Sequence, residues 1–212
     1  MNTLSRISTF HVTARPLSAI LIALFCAFIY SPALRSQQVY RIYPGTGFQD
    51  LPFPLSEEAL TGKIGAPSET RTYAEEEASW EESGYKTSRE LQFLLGFDRV
   101  LTFENNNPYA IWKAYIMDGK VIVLNCSAYT YTETIISHIQ VKDGLHFLDP
   151  ADKIKHTLGK DYILQSHKGA TNRSYIYLSP GIAFIVDESS LIYNILIFPP
   201  QTDSKEIKRK LK

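Results

Sequence analysis

Two short stretches of the chain carry apolar residues at helical spacing. Each is followed by runs of β-branched, aromatic and aliphatic residues. The clearer stretch is Gly144–Gly159. Within it Ile154 and Leu158 stand four apart on one helical face, while Lys153, Lys155 and His156 point elsewhere. Asp149 before Pro150 predicts the helix start, with the Asp side chain capping free N–H groups and Pro at the first helical position. Asp152 adds negative charge near the positive end of the helix dipole, and Gly159 suits a left-handed ending. Such a helix is too short to be stable alone, so it must dock on a neighbouring surface. The runs that follow, Ser174–Leu178, Ile182–Val186 and Leu191–Phe198, supply one. Ser179-Pro180-Gly181 and Asp187–Ser190 separate them as turns, which predicts a three-stranded antiparallel meander.

An upstream echo lies at Phe53–Gly65. Phe53 and Gly65 have the spacing of Phe147 and Gly159, Ser56 stands as a cap, and Leu60 and Ile64 correspond to Ile154 and Leu158. Three strand-like runs follow here too, Phe97–Glu104, Tyr109–Met117 and Lys120–Cys126, with turn signals at Glu104–Pro108 and Asp118-Gly119. The fold expected is α+β. It has two similar units, each a short helix or helix pair followed by a three- to four-stranded antiparallel meander, with the helices on one sheet face. The first unit would span residues 35–131 and the second 132–200. Arg35–Gly47 reads as a connector, and residues 201–212 as a basic, disordered tail.

Residues 66–96 interrupt the first unit. Glu75–Glu77, Glu81 and Glu82 form an acidic loop around Trp80, and Thr87–Glu90 reads as the capped start of a short helix, Glu90–Leu95. A tryptophan among carboxylates can anchor a protein partner, so Trp80, Glu77 and Glu81 are the candidate partner-binding residues. The run lacks the alternating Asp/Asn/Gly spacing of a calcium loop.

The N-terminus changes the picture most. Arg6, His11 and Arg15 precede the apolar run Leu17–Tyr30, and Ser31-Pro32-Ala33 follows it. This is the layout of a signal peptide, or of a signal anchor if uncleaved, over residues 1–34. The remainder would be exported: periplasmic, in the cell envelope or secreted, touching the membrane only through that segment. Cys26 follows Phe25, the wrong shape for a lipidation motif. A cleaved chain would hold only Cys126, which the apolar Val121–Leu124 run places in the interior as an inert thiol.

Composition is that of an ordinary globular protein, at 44% hydrophobic and 21% charged residues. Beyond residue 34 there are 20 Lys and Arg against 22 Asp and Glu, which argues against a nucleic-acid partner. Phosphate loops, nucleophile elbows, zinc-protease motifs and paired cysteines are missing from the sequence, so no cofactor or metal is expected. Asp152 and His156 share a helix face without a third ligand at matching spacing. His138 and His146 alternate with apolar residues and are expected to face outward. Asn125 and Asn172 begin glycosylation sequons, relevant only in a eukaryotic host.

Gly144-Leu145, Asp149, Ile154, Leu158-Gly159 and Gly181-Ile182 carry a resemblance, along with Ser56, Leu60, Ile64-Gly65 and Pro67. Over about residues 48–198 the chain resembles the tandem repeat of the β-lactamase inhibitory protein family and the single unit of SmpA/OmlA-type small lipoproteins. The resemblance implies an exported, non-enzymatic module of the inhibitor, immunity or envelope-assembly type, whose partner is another exported or envelope protein. The competing reading is an exported hydrolase using His156 or His167 with a nearby carboxylate.

Overall fold

The architecture is α+β and is built on one long antiparallel sheet. The computed structural model describes residues 39–82, 91–104, 110–128, 138–166 and 171–211. In chain order the strands are β1 (Tyr40–Tyr43), β2 (Gly47–Phe48), β3 (Leu51–Pro52), β4 (Leu55–Ser56), β5 (Glu69–Thr72), β6 (Arg99–Glu104), β7 (Ala110–Met117), β8 (Lys120–Ala128), β9 (Ile139–Val141), β10 (Ile163–Ser166), β11 (Arg173–Tyr177), β12 (Ile182–Val186) and β13 (Ile192–Ile197). The helices are α1 (Glu57–Ile64), α2 (Tyr73–Glu82), α3 (Leu91–Leu95), α4 (Ala151–Leu158) and α5 (Lys205–Leu211).

The large sheet runs β10-β11-β12-β13-β8-β7-β6-β5, with β4 pairing additionally on β8. Every neighbouring pair is antiparallel. A four-stranded sheet, β3-β2-β1-β9, lies against one face, where Tyr40 and Phe48 pack on Trp112 with ring centroids 5.5 and 4.9 Å apart. That face also buries Leu60 of α1 and Ile154 of α4. Five residues of the region expected to be a plain connector thus form β1 and part of β2. Their apolar side chains were too sparse to reveal a sheet that borrows β9 from far along the chain.

The helices do not all lie on one face. Leu91 of α3 and Leu211 of α5 are buried on the opposite side with Val100, Tyr115, Ile176 and Phe198, and Tyr73 of α2 packs there too. Both faces of the sheet are therefore covered, which explains why β12 is an uninterrupted apolar run. Ile182, Phe184 and Val186 enter one core; Ala183 and Ile185 enter the other.

Local chemistry sets the ends. Ser56 caps α1, accepting from the Ala59 N–H at 3.1 Å. In α4 the cap is Pro150, and the Asp149 carboxylate is not on the first turn. It accepts the His146 N–H at 2.7 Å and pairs with Lys153 at 2.9 Å instead. The Asp118-Gly119 turn joins β7 to β8 with both residues at positive φ, 50° and 71°, as a two-residue hairpin requires. The C-terminal segment is also ordered as α5: Ile207 and Leu211, four apart, give it an apolar edge that docks on the sheet. Basic composition masked that pair in the sequence.

Candidate functional site: an acidic helix pinned by a buried carboxylate

The segment expected to be an acidic loop is strand β5 followed by helix α2. Thr72 and Glu75 form a reciprocal cap. The Thr72 N–H donates to Glu75 Oε2 at 2.7 Å, and the Glu75 N–H donates to Thr72 Oγ1 at 3.4 Å. This Thr-x-x-Glu signal was readable in the sequence but was hidden in a run of glutamates. Among Glu75–Glu77, only Glu76 turns inward, because Tyr73, Glu76 and Trp80 fall on one helical stripe.

Glu76 has no exposed surface. Its carboxylate accepts from Lys113 Nζ at 2.9 Å and Trp80 Nε1 at 3.1 Å, and the Arg71 Nη1 lies at 3.4 Å. Arg71 also holds Ser79 Oγ at 3.2 Å and Glu69 at 2.8 Å. Burial alone pushes the Glu76 carboxyl upward. The Lys113 hydrogen bond and charge, then Trp80 and Arg71, outweigh it and hold the group below its ordinary range. β5, β7 and α2 are thereby tied together by one anion.

Trp80 is not a free anchor. Half-buried, it stacks edge-on against Phe93 at 5.0 Å, and Phe93 in turn meets Tyr73 at 5.4 Å and Phe97 at 5.2 Å. Glu77 and Glu81, one turn apart, are exposed, with Glu75 and Glu82 beside them. Glu77 accepts from Tyr73 OH at 3.4 Å. Of the three predicted partner-binding residues, two face solvent and the third braces the helix from behind.

The described histidines, His138, His146 and His156, do not converge. His138, expected outward, is 3% exposed, because it leads directly into β9, a strand of the four-stranded sheet whose Ile139 and Val141 enter the core. His146 Nδ1 stands 3.6 Å from Asp149. His156 is exposed, and its neighbour Asp152 is engaged by Lys155 at 2.5 Å. His167 lies outside the described residues. No three His, Cys, Asp or Glu side chains cluster as a metal site among the described residues. A cleft of about 330 Å³ between β10 and α5 is lined by Asp161, Ile163, Leu178, Gln201, Lys208 and neighbours, with no histidine. Cys126 is buried and free, its thiol pushed well up by burial. Asn125 is 7% exposed within β8, so its sequon is closed to modification in the folded chain.

No protein-family model matches the chain, and no curated protein matches it. Among solved structures, it is similar to an extracellular SCP-domain protein from Bacillus anthracis, at 9% identity and TM-score 0.40 over 73% of this chain and 45% of that one. It is also similar to a cysteine-rich secretory protein from Staphylococcus aureus, at 10% identity and TM-score 0.38 over 80% of this chain and 51% of that one. The chain spans about half the length of each. Neither likeness is close enough to assign a fold family or a function.

Proposed function

We propose that this is an exported, non-enzymatic protein-binding module of the cell envelope, of the inhibitor, immunity or assembly type, which meets a basic partner through the outer face of α2. The observation that carries the reading is the anchoring of that helix. Glu76 fixes α2 to two strands, so Glu77 and Glu81 are presented on a rigid support with little ordering entropy left to lose on binding. Export rests on the positive flank, apolar run and small-residue site of residues 1–34. No helix among the described residues is long and apolar enough to cross a membrane.

We further propose that the two halves are copies of one unit. Ser56 and Pro150 are both helix N-caps, and both pair with the start of a final strand, at Lys120 and Leu191. Leu60 and Ile154 are both fully buried on the same face. Gly65 (φ 110°, ψ −174°) and Gly159 (φ 85°, ψ −162°) close their helices in the region that only glycine enters readily. Four strands follow each helix. The final strands, β8 and β13, meet in the middle with Ile195 opposite Cys126 and Ile197 opposite Leu124. If Leu124 matches Ile195 and Cys126 matches Ile197, that pairing has the self-complementary form of a twofold axis. Irregularities at Tyr115/Ile116 and Ile185/Val186 then fall at matching places.

Fractionation and N-terminal sequencing test export; recovery of the intact chain in the cytosol would overturn it. Binding is tested by pull-down from envelope extract with the full chain, its Glu77→Lys/Glu81→Lys variant and Trp80→Ala. Loss of the same partner on charge reversal supports the reading; unchanged partners remove α2 from it. Superposition of the halves in an experimental structure decides the duplication.

A further inference from the structure

The large sheet has two outer edges, and they are treated differently. At β5, Glu69 and Arg71 are bridged, and the Thr72 N–H is taken by the Glu75 carboxylate. Charged side chains and occupied donors are how sheet edges are kept from pairing with foreign strands. β10, Ile-Leu-Gln-Ser, carries no charged side chain. No strand pairs with its outer edge among the described residues, and it carries Leu164, which is 47% exposed and is the only exposed large hydrophobic side chain among them.

We propose that the outer edge of β10 takes an extended acidic peptide segment of a partner protein as an added strand. This site is separate from the α2 face and goes beyond the reading above. Side chains of an added strand alternate between faces. On one face they would meet the exposed side chain of Leu164. On the other they would lie over the cleft lined by Ile163 and Lys208. The charge of the surroundings sets the partner's sign. Residues 153–164 and 203–211 hold seven Lys and Arg against three Asp and Glu, whereas residues 66–82, at the opposite edge, hold six Glu against one Arg. Lys160 and Arg209 are exposed and enter no ion pair among the described residues. An acidic segment is attracted there, and a basic one is repelled.

The test uses the full chain and fluorescein-labelled peptides in which Val and Thr alternate between flanking Asp residues, with Lys-flanked and Pro-interrupted counterparts. Anisotropy reports binding, and hydrogen exchange reports protection at residues 163–166. The expected result is binding of the Asp-flanked peptide alone, with protection at β10. Leu164→Ser would weaken it roughly tenfold, the value of removing one half-buried leucine contact. Lys160→Glu/Arg209→Glu, which alters only exposed charges, would weaken it similarly, and Glu77→Lys/Glu81→Lys would not. The proposal is overturned if no probe binds, if the Lys-flanked peptide binds equally, or if the Leu164 and charge variants bind like the parent. It is also overturned if the chain self-associates through β10, lost in Leu164→Ser, because the occupant is then a second copy. Envelope pull-down with the α2 variants reads the earlier proposal independently.

Discussion

Replacing Glu76 with alanine removes the anion on which three elements converge. Each charge-assisted hydrogen bond is worth about 1.5–3 kcal/mol, and breaking a buried ion pair costs about 3–5 kcal/mol. The upper end does not apply here. The Lys113 and Arg71 side chains keep 30% and 32% exposure, so both rehydrate once the carboxylate is gone, and Arg71 retains Glu69. The expected loss is therefore about 3 kcal/mol, or a fall in Tm of roughly 6–12 °C for a chain of this size. Denaturant unfolding at pH 7 with matched slopes measures it. The sign with pH follows from the depressed folded-state pKa. The contribution is complete above the ordinary glutamate range and is lost as pH falls from there through the folded value. The gap between Glu76→Ala and parent should thus close in acid. Adding Lys113→Met to Glu76→Ala should cost less than Lys113→Met alone, since the lysine no longer has its partner. A loss below about 1 kcal/mol, or a gap constant down to pH 3, would refute the role given to this carboxylate.

Leu60→Ala and Ile154→Ala, both fully buried, should each cost about 2–5 kcal/mol in denaturant unfolding, and comparable values fit matched roles in the two halves. Tyr177, buried and donating to Gly159 O at 3.0 Å, has its phenol pushed up to about 12, first by burial and then by Tyr162 and Tyr175. Its proton is held by the native state beyond the pH at which the unfolded chain releases it, so stability should fall as pH rises from about 10 toward that value. Tyr177→Phe should remove a step near pH 12 from an ultraviolet titration and cost about 1 kcal/mol. Cys126 should resist aromatic disulfide reagents in the folded chain and react fully in denaturant; rapid labelling of the native protein would contradict its place in the core.

The strands that were legible are those whose neighbours in sequence are also their neighbours in the sheet. Ile182–Val186 coincides with β12, and the Asp118-Gly119 hairpin stands where its turn chemistry puts it. Elements were missed where the partner comes from far away. β1 needs β9, and the polar β5 is a strand only because β6 offers an edge. The second face was missed for a related reason. Leu211 and Ile207 sit in a basic segment, and nothing local says that a sheet lies beneath them. At the site, the residue that organises α2 was read as one solvated glutamate among several. Helical phase turns Glu76 inward, but phase can be used only once the segment is known to be a helix. Its partners, Arg71 and Lys113, are five and thirty-seven residues away, and the distant one has no local signal.

The central claim is that α2 is a rigid acidic face offered to a protein partner outside the cytosol. Photo-crosslinking in intact cells tests it most directly, with the reactive group placed at Glu77 or Glu81 of the full chain and at Asp203 as a control. A discrete adduct from positions 77 and 81, reduced by Glu76→Ala and absent from 203, is the predicted result. Adducts that are equal at all three positions, or absent from 77 and 81 while the chain is folded and exported, would contradict it.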